Sequence, residues 1–168
     1  MSQIPSQPRP GAEQFSASPA RILVVANRTA TTPVLLAAVA DRAASGDTQF
    51  HLVVPATPQG LHRLVDPEVS GRVEAQAQVE AAIPRLSAAA GGPVSGEVGD
   101  ADPINAIHDA LFAKQFDEII VSTLPRRVSR WLHLDLPSKA RGFGLPVTHV
   151  EAGAMVEVPE PAAAAAAS

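Results

Sequence analysis

Three arginines within five residues, Arg126, Arg127 and Arg130, form the only dense basic cluster in the chain. Guanidinium forks so placed can hold a phosphate or a carboxylate through paired, charge-assisted hydrogen bonds. Their plainer role is that of a solvated loop whose arginines pair with local acids. Just before them, Ser122 and Thr123 end an apolar run and offer two hydroxyls for ligation, although threonine suits a strand on steric grounds alone. Trp131, the single tryptophan, stands among Val128, Leu132 and Leu134. So large an apolar side chain is read first as core or dimer contact and second as a face on which a base can stack. The five histidines, His51, His62, His108, His133 and His149, include no pair four apart on one helix, so no zinc site is read and each is given a structural role.

The familiar motifs of covalent and phosphoryl chemistry are missing. The chain has no Gly-x-Ser-x-Gly elbow and no Gly-x-x-x-x-Gly-Lys-Ser/Thr loop, and Asn27-Arg28-Thr29-Ala30-Thr31 stands where a dinucleotide fingerprint would follow the first strand. A receiver-type phosphoacceptor needs paired acids after that strand, and none is there. With no cysteine there is no disulfide, thiolate metal site or thiol nucleophile. The expectation is a non-enzymatic protein.

The elements that must position these residues are legible in the apolar pattern. The chain has 168 residues, 46% of them hydrophobic and 18% charged, with a mean hydropathy of +0.10, which fits one domain with one core. Part of that apolar content is the alanine run Ala162 to Ala167. A net charge of −4 argues against nucleic acid as a partner, and no run approaches the 18 apolar residues of a membrane span. The Ser/Gln/Pro-rich residues 1–19 lack the apolar segment of a secretory signal, so a cytoplasmic location is expected. They and the Ala/Pro-rich residues 153–168 read as disordered ends around a domain spanning 20–152.

Arg21–Ala26, Phe50–Val54, Val94–Val98, Glu118–Ser122 and Pro146–Val150 are strand candidates. The first, second and fourth are nearly continuous in apolar residues, as parallel strands covered on both faces are, whereas the third and fifth alternate like sheet edges. Helices are read between them. One follows Thr32-Pro33 with a stripe of Leu35, Ala38, Val39 and Arg42, and another follows Asp66-Pro67 with Val79, Ile83, Leu86 and Ala90 and a kink at Pro84. A third follows Asp102-Pro103, and a short fourth starts near Asp135 and ends by Gly144. Strictly alternating strands and helices give an α/β fold, an open doubly wound five-stranded parallel sheet of Rossmann-like architecture. Its binding crevice lies at the carboxyl ends of the strands, around Asn27–Thr32, Pro55–Gly60, Gly99–Asp102 and Ser122–Asp135.

Gly99-Asp100-Ala101-Asp102-Pro103-Ile104-Asn105, followed by Phe116-Asp117-Glu118-Ile119-Ile120-Val121-Ser122-Thr123, resembles the third strand, third helix and fourth strand of universal stress proteins. Ser129-Arg130-Trp131-Leu132 and Leu145-Pro146-Val147 resemble that family's final segments. The resemblance implies helices on both faces of a sheet of order 3-2-1-4-5 and a homodimer paired through the last strand. It also implies an ATP or AMP site built on Gly-x-x-Gly, nine residues, then Gly-Ser or Gly-Thr. Laid on this chain without gaps, the glycine positions fall on Ser122, Pro125 and Asp135 and the hydroxyl position on Leu136, so none is kept. Asn27 also stands where many members have Asp.

Pro125 has no N–H to offer a phosphate, and Asp135 is expected to cap the following helix with its carboxylate, occupying the donors an anion would use. The reading is therefore a stress-response protein of the branch without the ATP site, acting by homodimerisation and by binding an unknown protein partner or small ligand. The alternatives are an ATP or AMP sensor with slow hydrolysis, holding phosphate through arginines, and a regulatory module for a transporter. Candidate ligand-binding residues are Asn27, Val54, Gly99, Ser122, Thr123, Arg126, Arg127 and Arg130.

Overall fold

A computed structural model describes residues 18–58 and 67–153. His62, Asp66 and nearly all of the two low-complexity ends lie outside these residues. Five parallel strands, β1 (Ala20–Val25), β2 (Thr48–Pro55), β3 (Ser95–Gly99), β4 (Glu118–Thr123) and β5 (Val147–Glu151), form one sheet in the order β3-β2-β1-β4-β5. The expected order and the expected edge strands are both found, and strand ends differ from the sequence reading by a residue or two.

Each strand alternates its side chains between two separate apolar layers. Ile22, Val24, Phe50, Leu52, Val54 and Ile120 pack with α1 (Pro33–Ala44) and α2 (Pro67–Ala90), through Leu35 and Val39 of the first and Val79 and Leu86 of the second. Leu23, Val25, Val53, Ile119 and Val121 pack on the other face with α3 (Pro103–Ala113) and α5 (Leu136–Arg141). Double coverage is why β1, β2 and β4 read as unbroken apolar runs. No helix among the described residues is long and apolar enough to cross a membrane.

Helix signals act unevenly. Asp102 caps α3 by accepting from the N–H of Ile104 at 2.7 Å, with Pro103 at the first helical position. Pro33 opens α1 likewise, while Thr32 turns its hydroxyl to the carbonyl of Thr29 instead of capping. Pro84 lies within α2 on its exposed side, where water can serve the carbonyl left without an N–H partner. A further helix, α4 (Arg130–His133), is a single turn capped by Ser129 within the segment expected to be loop.

Glycine at position 99 is a packing requirement. A Cβ there would stand 2.7 Å from Ala106 Cβ on α3 and 2.8 Å from Val53 Cγ1, closer than carbon atoms pack. Gly99→Ala is expected to lower stability by about 1–3 kcal/mol, the usual cost of overpacking a core. Urea denaturation checks this, and an unchanged midpoint would mean that α3 does not press on β3.

Candidate functional site

Order reverses between β1 and β4: the chain leaves β1 toward β2 on one side and enters β4 on the other. Loops leaving the carboxyl ends of those two strands therefore part, and the space between them is a cleft of about 260 Å³. Asn27, Arg28 and Thr29 from the β1 loop, Thr57 and Pro58 from the β2 loop, and Ser122 to Leu124 with Val128 to Trp131 from the β4 side line it. A second recess of about 350 Å³ adjoins it, sharing Thr57, Pro58, Arg130 and Trp131 and reaching Asp102 and Leu134.

The cleft is held by bonds between strand ends. Asn27 Nδ2 donates to the carbonyl of Pro55 at 3.1 Å, and Thr29 Oγ1 donates to the carbonyl of Ser122 at 3.1 Å, tying the β1 loop to β2 and β4. Thr123 Oγ1 lies 2.8 Å from His149 Nε2 on β5. Ser122 differs from these neighbours. Its side-chain oxygen is fully buried and has no partner, alone in this among the described side chains. A buried orphan hydroxyl costs about 1–3 kcal/mol, so it calls for a partner that the described residues do not supply.

Of the residues singled out from sequence, Asn27, Ser122, Thr123 and Arg130 meet at this cleft. Val54 is buried in the apolar layer against α1 and α2, and Gly99 packs under α3. Arg126 and Arg127 are exposed and line neither recess, so the basic cluster is split. Arg28, which sequence reasoning did not select, stands with Arg130 in the lining. Its position directly after Asn27 at the switch point was the available signal. Trp131 packs one side against the α3 and α5 layer and lines both recesses with the other.

The loop after β4 has already used many of its backbone donors. The N–H of Arg126 donates to Glu151 Oε1 at 3.3 Å, those of Val128 and Ser129 to the carbonyl of Pro125 at 2.9 Å each, and that of Leu132 to Ser129 Oγ at 3.2 Å. A carboxylate, a carbonyl and a hydroxyl of the protein itself thus accept from these N–H groups.

Asp135 plays no part in this, contrary to expectation. Its side chain makes no capping bond, and its backbone is left-handed, with φ 55° and ψ 41°. It is the only non-glycine residue with positive φ among the described residues. The position aligned with a family glycine keeps a glycine-like conformation, and aspartate is tolerated there because its short polar side chain suits the left-handed region.

The geometry can be set beside known proteins. No family model matches the chain, and no curated protein matches it by sequence. Solved structures do. A universal stress protein in complex with cAMP is 17% identical, with 79% of this chain and 97% of that one covered and a TM-score of 0.54. A protein of the same family from Burkholderia pseudomallei is 16% identical, covering 77% and 94% with a TM-score of 0.55. A third, from Arabidopsis thaliana with AMP bound, is 11% identical, covering 81% and 94% with a TM-score of 0.51. This chain has the universal stress protein fold. The sheet order and the cleft at the reversal point follow from that fold.

Because Asp135 occupies a left-handed position without capping, Asp135→Gly should be at least as stable as the parent, and Asp135→Ala less stable by about 1 kcal/mol. Thermal melts of the two variants decide it. A clear loss in Asp135→Gly would restore the carboxylate as a cap.

Proposed function

We propose that this protein is a regulatory, stress-response member of the universal stress protein family, from the branch that lacks the glycine-loop ATP site. It works in the cytoplasm as a homodimer paired through the edge strand β5, and binds a small ligand at the cleft without turning it over. The observation that carries this reading is the combination at the β4 loop. Backbone donors are spent on Glu151 and Pro125, while Ser122 is left buried and unpaired in the cleft. A ligand here is held by side chains: a hydrogen bond to Ser122, with Arg28 and Arg130 favouring an anionic group.

The second reading is an AMP-class sensor. It is favoured by those two arginines in the cleft and by the likeness in fold to a universal stress protein solved in complex with cAMP and to another with AMP bound. A monophosphate could be met by guanidinium groups without the backbone cradle that a triphosphate needs.

Thermal melts separate the two. Under the first reading millimolar ATP leaves the melting temperature essentially unchanged, since a ligand at 100 times its Kd would add about 2.7 kcal/mol, several degrees for a domain of this size. A saturable rise at micromolar ATP contradicts the first reading. A rise with micromolar AMP or cAMP, lost in Arg130→Ala, establishes the second. Ser122→Ala should raise the ligand-free stability by about 1 kcal/mol, because it removes an unsatisfied hydroxyl, and should weaken whatever ligand the cleft takes. If Ser122→Ala destabilises the protein, the hydroxyl has an internal partner and the site argument fails.

A further inference from the structure

At the opposite end of the sheet, where the strands begin, is a third recess of about 310 Å³ lined by Arg21, Gln49, His51, Ser95, Lys114 and Phe116 among others. The parallel register sets His51 of β2 beside Ser95 of the edge strand β3, and Glu97 lies two residues along the same face of that strand. His51 Nδ1 is 2.6 Å from Ser95 Oγ, and its Nε2 is 2.9 Å from Glu97 Oε1. The His51 side chain is 7% exposed, whereas Ser95 is open to solvent.

We propose that Ser95, His51 and Glu97 form a serine-nucleophile site that cleaves esters of small carboxylic acids. The choice of tautomer is the deciding step. Nε2 faces both the Glu97 carboxylate and, at 3.3 Å, the Lys114 ammonium. The carboxylate can only accept and the ammonium can only donate, so they require opposite tautomers. Glu97 makes the shorter contact, which puts the proton on Nε2 and leaves the Nδ1 lone pair to accept from the Ser95 hydroxyl. That is the arrangement of nucleophile, base and orienting carboxylate, with Glu97 as the positioning residue.

Ser95 Oγ bonds to the ester's acyl carbon as its proton passes to Nδ1. The tetrahedral centre then expels the alkoxide, which takes that proton and leaves as the alcohol. Water next attacks the acyl-serine and gives a proton to Nδ1. Ser95 departs with it and the carboxylic acid is released. Gln49 and Arg21 line the same recess and are the side chains there with N–H donors to offer the oxyanion, whereas Lys114 is turned to Nε2. Short motifs do not reveal this site, because Ser95 and His51 are 44 residues apart in the chain and only the β2–β3 register joins them.

The test treats the full chain with a fluorophosphonate probe, which exchanges its P–F bond for a bond to an activated serine oxygen, and maps the adduct by peptide mass spectrometry. One adduct on Ser95 is expected, together with hydrolysis of p-nitrophenyl acetate that disappears in Ser95→Ala. Both rates should fall at least tenfold in Glu97→Gln with an unchanged melting curve, and by about 100-fold or more in His51→Ala, the usual contribution of a general base. Added imidazole should restore part of the His51→Ala loss. No adduct on Ser95 in the folded parent, or equal rates in the parent and Glu97→Gln, would overturn the proposal.

Discussion

Strand β1 is paired on both edges and buried on both faces, and most of the architecture answers to that double confinement. Ile22, Leu23, Val24 and Val25 are all fully buried, and each such side chain contributes on the order of 1.5–3 kcal/mol when removed from water. Polar links such as the pair between Arg42 on α1 and Glu118 on β4, 2.8 Å long but partly exposed, add about 1 kcal/mol at most. Apolar layers on two faces therefore dominate, and they require helices on both sides of the sheet. Right-handed crossovers to opposite sides of β1 then force the loops apart at its carboxyl end. The cleft is a consequence of covering the central strand.

What occupies the cleft depends on how the β4 loop satisfies its own backbone. Glycine-rich loops of this fold can turn several N–H groups toward a phosphate. Here Pro125 has no such group, and its carbonyl collects two donors from Val128 and Ser129, while Glu151 on the neighbouring edge strand takes a third from Arg126. Asp135 retains the left-handed turn that a glycine would supply but leaves its carboxylate in solvent. The left-handed turn is preserved, and the N–H groups of Arg126, Val128 and Ser129 are bonded within the protein. Under the proposed function recognition passes to side chains, and among the described residues Ser122 is the one whose hydroxyl is buried and without a partner.

Much of this was legible in the residues. Unbroken apolar runs in β1, β2 and β4 mark strands covered twice, and alternation at Val94–Val98 and Pro146–Val150 marks edges. Asp102-Pro103 and Pro33 mark helix starts because their physics is local. Features that failed to show have equally physical reasons. The four residues of α4 are too few to display a helical period. Aspartate at 135 is equally at home as a cap and in the left-handed region, so its type could not tell the two apart. Arg126, Arg127 and Arg130 are close in sequence, but the turn at Pro125 and the start of α4 point only the last into the cleft. Contacts such as Ser95 with His51 arise from strand register, which no local spacing encodes.

The central claim is that the backbone donors of the β4 loop are engaged inside the protein and unavailable to a phosphate. Amide resonances of Arg126, Val128, Ser129 and Leu132 in isotope-labelled protein test it directly, by titration with ATP at millimolar concentration. The account predicts slowed hydrogen exchange at these amides without nucleotide and no significant shift of their resonances when ATP is added. Fast exchange at these four amides, with large saturable shifts on adding ATP, would contradict it.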